Sequence, residues 1–357
     1  MYKIEYNTVL ASQYADDIVK RLDRKIARVL RMGFRYQIGS GTGATTVNVR
    51  VSPNGFTKQF LDDYRESTDL VLLLKGDMNY LRRVIERVRQ NSPEHFVRLD
   101  DTKYNRCYPG QRTVDDFHTV MTYLFVDRGY ESKGFLDKED IVDGFGLKVC
   151  PYCGHNFISS VKYQRQDGTL NVAKAQIDHF FSKGKYPFLA LSYANFVPSC
   201  PTCNESHKYT QDVMDANGRM RLMNPYEFDE SKFHFCFRLK KVGLMDDDNI
   251  EVNTRFNVAS ADDLALKDGY EHILGIDKLY EYHNDVVMDI LIKKMIEMTA
   301  LRLYYRDGLK INERYLRRYI TAYYGCETSS KEDAKRIMSK FIRDVVRQVD
   351  LMTKKLG

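Results

Sequence analysis

Val149-Cys150-Pro151-Tyr152-Cys153-Gly154 and Cys200-Pro201-Thr202-Cys203-Asn204-Glu205-Ser206-His207-Lys208 are the two stretches on which the reading of this chain turns. Each CxxC spacing places two thiols on one tight turn, and two such turns supply the four sulfurs of a tetrahedral zinc site. A lone redox pair would leave the second CxxC without a purpose. The chain holds seven cysteines. That odd count argues against a disulfide framework. Cys150, Cys153, Cys200 and Cys203 are therefore expected to hold a structural Zn2+, with Cys107, Cys236 and Cys326 as small buried apolar residues. The knuckles lie too far apart for a compact zinc ribbon, so a functional insertion is expected between them.

That insertion carries the second signal. Residues 157–163 and 170–177 read as strands around Gln166-Asp167-Gly168, a favoured hairpin turn. The second strand runs into Asp178-His179-Phe180-Phe181. Lys183, Lys185, the Tyr186-Pro187 turn, the apolar run Phe188-Leu189-Ala190-Leu191 and Asn195 come next, and Asn204 sits directly after Cys203. A hairpin ending in Asp-His, followed by a helix bearing another oxygen ligand, can hold one hard divalent ion beside an imidazole.

Both knuckles, Asp-His, Tyr-Pro, Asn and Cys-Asn occur in an order that resembles the HNH endonucleases, with their ββα-metal fold and zinc-binding CxxC pairs. The resemblance covers residues 146–230. Leu222-Met223-Asn224-Pro225-Tyr226 is similar to the stretch after the motif in bacterial members. The resemblance implies that His179 is the general base, its neutral imidazole taking a proton from water near pH 7. It implies that Asp178 and Asn204 ligate the catalytic metal, and that Asn195 holds the loop so that His179 points correctly. Oxygen ligands of this kind suit Mg2+ or Mn2+. The implied reaction is metal-dependent hydrolysis of a phosphodiester, with charge on the leaving 3′ oxygen stabilised by the ion.

The chain departs from the pattern at Ser182, where many relatives carry Pro, and at His207, where many carry Lys. His207 is read either as a third metal ligand or as a group facing phosphate from the next helical turn. Lys183, Lys185 and Lys208 are expected as phosphate contacts. The chain is also similar to stand-alone HNH effectors of bacterial anti-phage defence, including the nuclease subunit paired with an ATPase in Septu-like systems. That similarity implies DNA as substrate and a separate ATPase or other defence subunit as partner, since no Walker motif occurs here. Two alternatives stay open: an effector that cuts RNA or tRNA, and a zinc-stapled nucleic-acid-binding module without catalysis.

Outward from the motif, the expected fold class is α+β, a central ββα-metal module at 146–235 flanked by mainly helical regions. Residues 1–145 read as a mixed helical and strand region for substrate or partner binding, and 236–357 as a short hairpin followed by helices. In the first region, Ile18, Leu22, Ile26 and Leu30 predict a helix over 14–34, with Arg24, Arg28, Arg31 and Arg35 on its other side. Gly39-Ser40-Gly41-Thr42-Gly43 reads as a turn and lacks the Gly-Lys-Ser/Thr ending of a phosphate loop. Val47, Val49 and Val51 predict a strand, and Leu70-Val71-Leu72-Leu73-Leu74 a buried one. Asp77 is expected to cap a basic helix through Gln90, and a further helix is expected over 114–126.

In the third region, Phe233, Phe235 and Phe237 predict one strand, 250–258 a second, and Ser260 with Asp263 a capping box. Arg336, Lys340, Arg343 and Arg347 form a basic stripe, and 302–324 interleaves arginines with tyrosines. Each could follow phosphates or stack on bases, or form a surface for a partner protein. The net charge of +6 is mild and permits a nucleic-acid partner without demanding one. No apolar run approaches the roughly 18 residues that span a bilayer, and the first residues lack a secretory core. A soluble, cytoplasmic protein with no membrane partner is the expectation.

Overall fold

The computed structural model describes residues 1–38, 45–66, 69–93, 95–96, 117–158, 161–164, 166, 170–173, 175–241, 246–306 and 313–354. They form helices and short antiparallel strand pairs, an α+β architecture. Among the described residues no helix is long and apolar enough to cross a membrane. Two compact units result. One, termed the cysteine unit, comprises Met1–Glu5, Phe145–Ile177 and Pro198–Gly357; the other, the histidine unit, comprises Tyr6–Gly144 and Asp178–Val197. The stretch 146–235 is thus shared. It gives the four cysteines, Asn204 and His207 to the first unit, and Asp178, His179 and Asn195 to the second.

The histidine unit opens with α1, Thr8–Met32, six residues before its expected start. Asn7 caps it by accepting from the amides of Val9 and Leu10, and Ile18, Leu22, Ile26 and Val29 bury its apolar face. It ends at Gly33, whose φ of +69° and approach to the Val49 carbonyl leave no room for a Cβ. β1 (Phe34–Ile38) then pairs antiparallel with β2 (Thr45–Val49), Phe34 opposite Val49. The glycine turn expected between them lies outside the described residues.

Three helices come next: α2 (Phe56–Glu66), α3 (Asp69–Lys75) and α4 (Met78–Asn91). α3 corrects the strand expected over the leucine run. Leu70, Leu73 and Leu74 are buried while Leu72 is exposed, which is helical spacing. Asp77 does cap α4, accepting from the Tyr80 amide at 2.8 Å. α5 (Phe117–Met121) continues as a wide helix over Thr122–Tyr130, near the helix expected there.

The core of this unit is completed by Asp178–Val197. Phe188 is fully buried against Phe60, Phe117 and His95. The Tyr14 hydroxyl of α1 donates to the Leu191 carbonyl at 2.8 Å, and the Ser192 hydroxyl donates to the Leu73 carbonyl at 2.6 Å. Burial of a side chain the size of Phe188 contributes about 2–3 kcal/mol. The N-terminal helices therefore act as the frame that seats the residues after His179.

In the cysteine unit, β3 (Val161–Gln164) and β4 (Leu170–Ala173) form a hairpin whose turn, apart from Gln166, lies outside the described residues. The single strand expected over 170–177 is broken after Ala173. A separate strand, β5 (Gln176–His179), carries Asp178 and His179 and pairs with β6 (Phe196–Ser199), so the Asp-His pair ends no β3–β4 hairpin. β7 (Phe233–Leu239) and β8 (Ile250–Phe256) pair as expected, with Phe233, Phe235 and Phe237 buried on one face. α6 (Ala261–His272) begins at Ser260, whose hydroxyl accepts from the Asp263 amide at 3.2 Å while Asp263 accepts from the Ala259 amide at 3.0 Å. α7 (Ile276–Tyr280), α8 (Asn284–Arg306), α9 (Glu313–Tyr324) and α10 (Ser339–Lys354) complete the unit.

α10 finishes the edge of β7. Asp344 accepts from the Phe235 amide at 3.0 Å, and Gln348 both accepts from and donates to Phe237. Backbone groups that would invite another strand are thereby satisfied. This packing removes Lys340 and Arg343 from the expected phosphate-following stripe. Lys340 is buried in a 2.8 Å pair with Asp344, and Arg343 is buried between Asp333 and Glu230. In the tyrosine-rich stretch, Tyr319 stacks on Tyr323, and the side chains of Arg302, Tyr304, Tyr305 and Tyr315 lie outside the described residues.

Candidate metal centre and the His179 loop

Four thiols meet in the cysteine unit. The Sγ atoms of Cys150, Cys153, Cys200 and Cys203 all lie within 4.8 Å of one another, all four residues are buried, and none is in a disulfide. A tetrahedron with metal–sulfur bonds of about 2.3 Å has edges of about 3.8 Å, so this donor set fits a metal such as zinc. Local backbone bonds shape each knuckle: the Gly154 amide donates to the Cys150 carbonyl at 2.7 Å, and the Asn204 amide to the Cys200 carbonyl at 3.0 Å. Gly154 adopts φ +67°, the left-handed turn that lets the chain leave the first knuckle.

The sulfurs are surrounded by donors. The His155 amide donates to Cys153, and the Cys203 amide and the Asn156 side chain donate to Cys200, at 3.4–3.5 Å. Hydrogen bonds from the other three thiols and from Asn156 hold the Cys200 thiol far below its ordinary range, whereas burial pushes Cys150 up. Thiolate character at this point is what a bound metal requires. Behind Asn156 runs a relay: its Oδ1 is 2.8 Å from His155 Nδ1, and His155 Nε2 is 2.9 Å from His283 Nε2. Satisfying every partner assigns the donor hydrogens to His155 Nδ1 and His283 Nε2. The Tyr280 hydroxyl donates to the Cys153 carbonyl at 2.8 Å, tying the first knuckle to α7. Sequence reasoning misses His155, His283 and Asn156, because the relay joins residues 128 positions apart.

On the second knuckle, the single wide turn Thr202–Lys208 carries Asn204 and His207. The Asn204 amide group donates to Gln176 Oε1 at 2.8 Å, and Gln176 in turn donates to Glu205. This assigns Asn204 Oδ1 as the lone-pair atom. His207 Nδ1 is shielded from solvent and has no hydrogen-bond partner among the described residues, which a buried imidazole nitrogen rarely tolerates. Lys208 is fully buried.

The histidine unit holds the other half of the sequence motif. His179 is 5% exposed, and its Nε2 lies 3.0 Å from the Ala190 carbonyl. Since a carbonyl only accepts, the proton sits on Nε2 and the basic lone pair on Nδ1. The ring is wedged edge-on between Tyr130, 4.4 Å between centroids, and Phe196, 5.4 Å. Asn195 is wholly buried and clasps both ends of the loop. Its Oδ1 accepts from the Phe181 amide at 2.7 Å, its amide group donates to the carbonyls of Phe181 and Leu189, and its own carbonyl accepts from the Phe180 amide at 2.8 Å. Asp178 is buried, and its charge adds to the burial and to Glu131 in raising Tyr130 above the usual phenol range.

Lys183 is ion-paired with Glu131, which Lys138 also approaches at 3.5 Å, and both ammonium groups lie over the Tyr130 ring. Burial raises the Glu131 carboxyl, but Lys183 and Lys138 more than offset it, so it titrates below its usual range. The carbonyls of Gly184 and Lys185 meet His118 and His95 at 3.0 and 2.9 Å. Burial pushes His95 down to about 3. Sequence reasoning also misses Glu131, Tyr130 and His95, since nothing near them in the chain marks them.

No protein-family model, no curated protein and no solved structure matches this chain.

Proposed function

We propose that this protein is a metal-dependent HNH endonuclease that hydrolyses phosphodiester bonds, with DNA as its substrate and anti-phage defence as its setting. The observation that carries the reading is the seating of His179. Its Nε2–H is committed to the Ala190 carbonyl, and the loop that supplies this carbonyl is clasped by Asn195. In the reaction, water attacks phosphorus as His179 Nδ1 takes its proton, and the bond to the 3′ oxygen breaks. The resemblance assigns Asp178 and Asn204 as the residues that would hold a Mg2+ or Mn2+ ion, which would supply charge stabilisation at the leaving oxygen. Asn204 fits such a role because its amide group donates to Gln176, so that its oxygen is the atom that would ligate the ion. The four-cysteine centre is proposed to hold structural zinc.

A second reading has one observation in its favour. Asp178 and His179 are 4% and 5% exposed, which suits a structural pair in a zinc-stapled nucleic-acid-binding module. Incubation of supercoiled plasmid, single-stranded DNA and total RNA with the purified chain in Mg2+ or Mn2+ separates the two. Metal-dependent nicking of DNA supports the proposal; cleavage confined to RNA moves it to an RNA-cutting effector. Retention of nucleic acid without cutting, with or without a neighbouring ATPase subunit, favours the binding module.

A further inference from the structure

A cleft of about 930 Å3 in the histidine unit is lined by Lys25, Arg28, Arg35, Arg50 and Arg128, with Phe34, Tyr123 and Asn48 among its other walls. Among the described residues that line it, none is acidic. Arg28, Arg35, Arg50 and Arg128 are exposed, and none makes an ion pair with another described residue. Elsewhere in the same unit cations are routinely paired: Lys58 with Asp62, Arg65 with Asp23 and Arg87 with Asp63. Five cations gathered without counter-charge among the described residues repel one another, and burial together with Arg128 and Arg21 holds the Lys25 ammonium below its usual range. A fold that maintains such a cluster on α1, on and just after the β1–β2 hairpin and on the wide helix Thr122–Tyr130 presents a site suited to an anion.

We infer that this cleft seats the phosphodiester backbone of a nucleic-acid strand and reads no sequence. Five cations lining one cleft suit several phosphates at once, which guanidinium groups engage in pairs of hydrogen bonds. The aromatic floor sets the second half of the inference. Phe34 is stacked on Tyr123 with ring centroids 3.9 Å apart, and the Arg128 guanidinium lies 5.5 Å from the Tyr123 centroid. Phe34 covers one face of Tyr123 and the ring also contacts Arg128, so these aromatics orient Arg128. The Lys25 ammonium donates to the Arg128 carbonyl and lies 4.3 Å from the centre of the Phe135 ring, which fixes the opposite wall. The identity of the ligand as nucleic acid rests on the nuclease reading; the anion-binding character of the cleft does not.

The test uses full-length His179→Ala protein, which keeps the strand intact, and fluorescence anisotropy with labelled single-stranded and duplex DNA of two unrelated sequences. Each is titrated over a range of salt. The inference predicts equal affinity for the two sequences and a log K that falls steeply with log salt. Replacing Arg28 and Arg50 by Gln is expected to weaken binding at least ten-fold and to reduce that slope by about 1.4 for a single strand or about 1.8 for a duplex. Replacing both by Lys should restore most of the affinity. Arg82→Gln with Arg83→Gln on α4 makes the same charge change away from the cleft, and is expected to alter binding less than two-fold. Equal loss in both double variants, or no loss in either, overturns the inference, as does clear preference for one sequence. Displacement of the strand by stoichiometric ATP overturns it in favour of a small-anion site. Plasmid cutting by the unmutated chain is scored separately, so failure of the cleft and failure of the nuclease reading give different results.

Discussion

Around the four cysteines the chain builds its own cage from two knuckles and the amides just after them, whereas the loop after His179 is seated by helices far away in sequence. Cys150 and Cys153 share one turn, Cys200 and Cys203 another, and their donors are His155, Asn156 and Cys203 itself. The His179 loop instead depends on Tyr14, Phe60, Leu73, Phe117 and Tyr130. A metal bound by these four sulfurs would close the first region at once, since four ligands would exchange loose turns for a fixed tetrahedron. The second is fixed by packing, so its precision comes from many small contributions.

The contrast can be broken most sharply at the cysteines. Cys150→Ser or Cys203→Ser is expected to lower bound zinc from about one per chain to none, with loss of soluble protein, because structural zinc contributes on the order of 10 kcal/mol in finger peptides. Elemental analysis and solubility measure both. Phe188→Ala should cost about 3–5 kcal/mol by urea unfolding while leaving the zinc content intact, since its cavity lies among Phe60, Phe117 and His95. Zinc loss in that variant would mean that the two regions are not held by separate means.

Acid sharpens the comparison further. His95 is neutral in the folded protein, with its value held near 3 by burial, and it faces His118 and Lys185. Its unfolded value is about 6.5. Unfolding therefore takes up a proton between these limits: the stabilisation is complete above about pH 6.5 and is lost as pH falls toward 3. The expected slope is up to about 1.3 kcal/mol per pH unit. His95→Gln keeps a donor for the Lys185 carbonyl and should remove that slope, while acid release of metal from the thiolates persists in both proteins. The smallest effect is expected at Glu131→Gln. Its pair with Lys183 is partly exposed, so stability should change by less than about 1 kcal/mol in thermal unfolding.

Legibility in the sequence divides along the same line. The knuckles, the cap at Asp77, the capping box at Ser260 and the β7–β8 alternation are local signals, and each is found where local chemistry places it. The leucine run misleads because five consecutive apolar residues suit a strand or a helix. Asp69 at its start and Lys75 at its end are helix-end charges that decide the matter. Lys340 and Arg343 read as a wet basic face. Asp344, four residues after Lys340, is a visible partner, whereas the contact between Arg343 and Glu230 joins residues 113 apart and leaves no trace in either neighbourhood. Tyr130, Glu131 and His95 are hidden in the sequence for the same reason.

The central claim, that His179 is the general base of a phosphodiesterase, is tested most directly by comparing plasmid nicking in Mg2+ by the unmutated chain and by His179→Ala at matched zinc content and melting temperature. Loss of a positioned general base lowers a rate by about a hundred-fold or more, and a loss of that size is the expected result. Metal-dependent nicking that stays within two-fold of the unmutated chain would contradict the account.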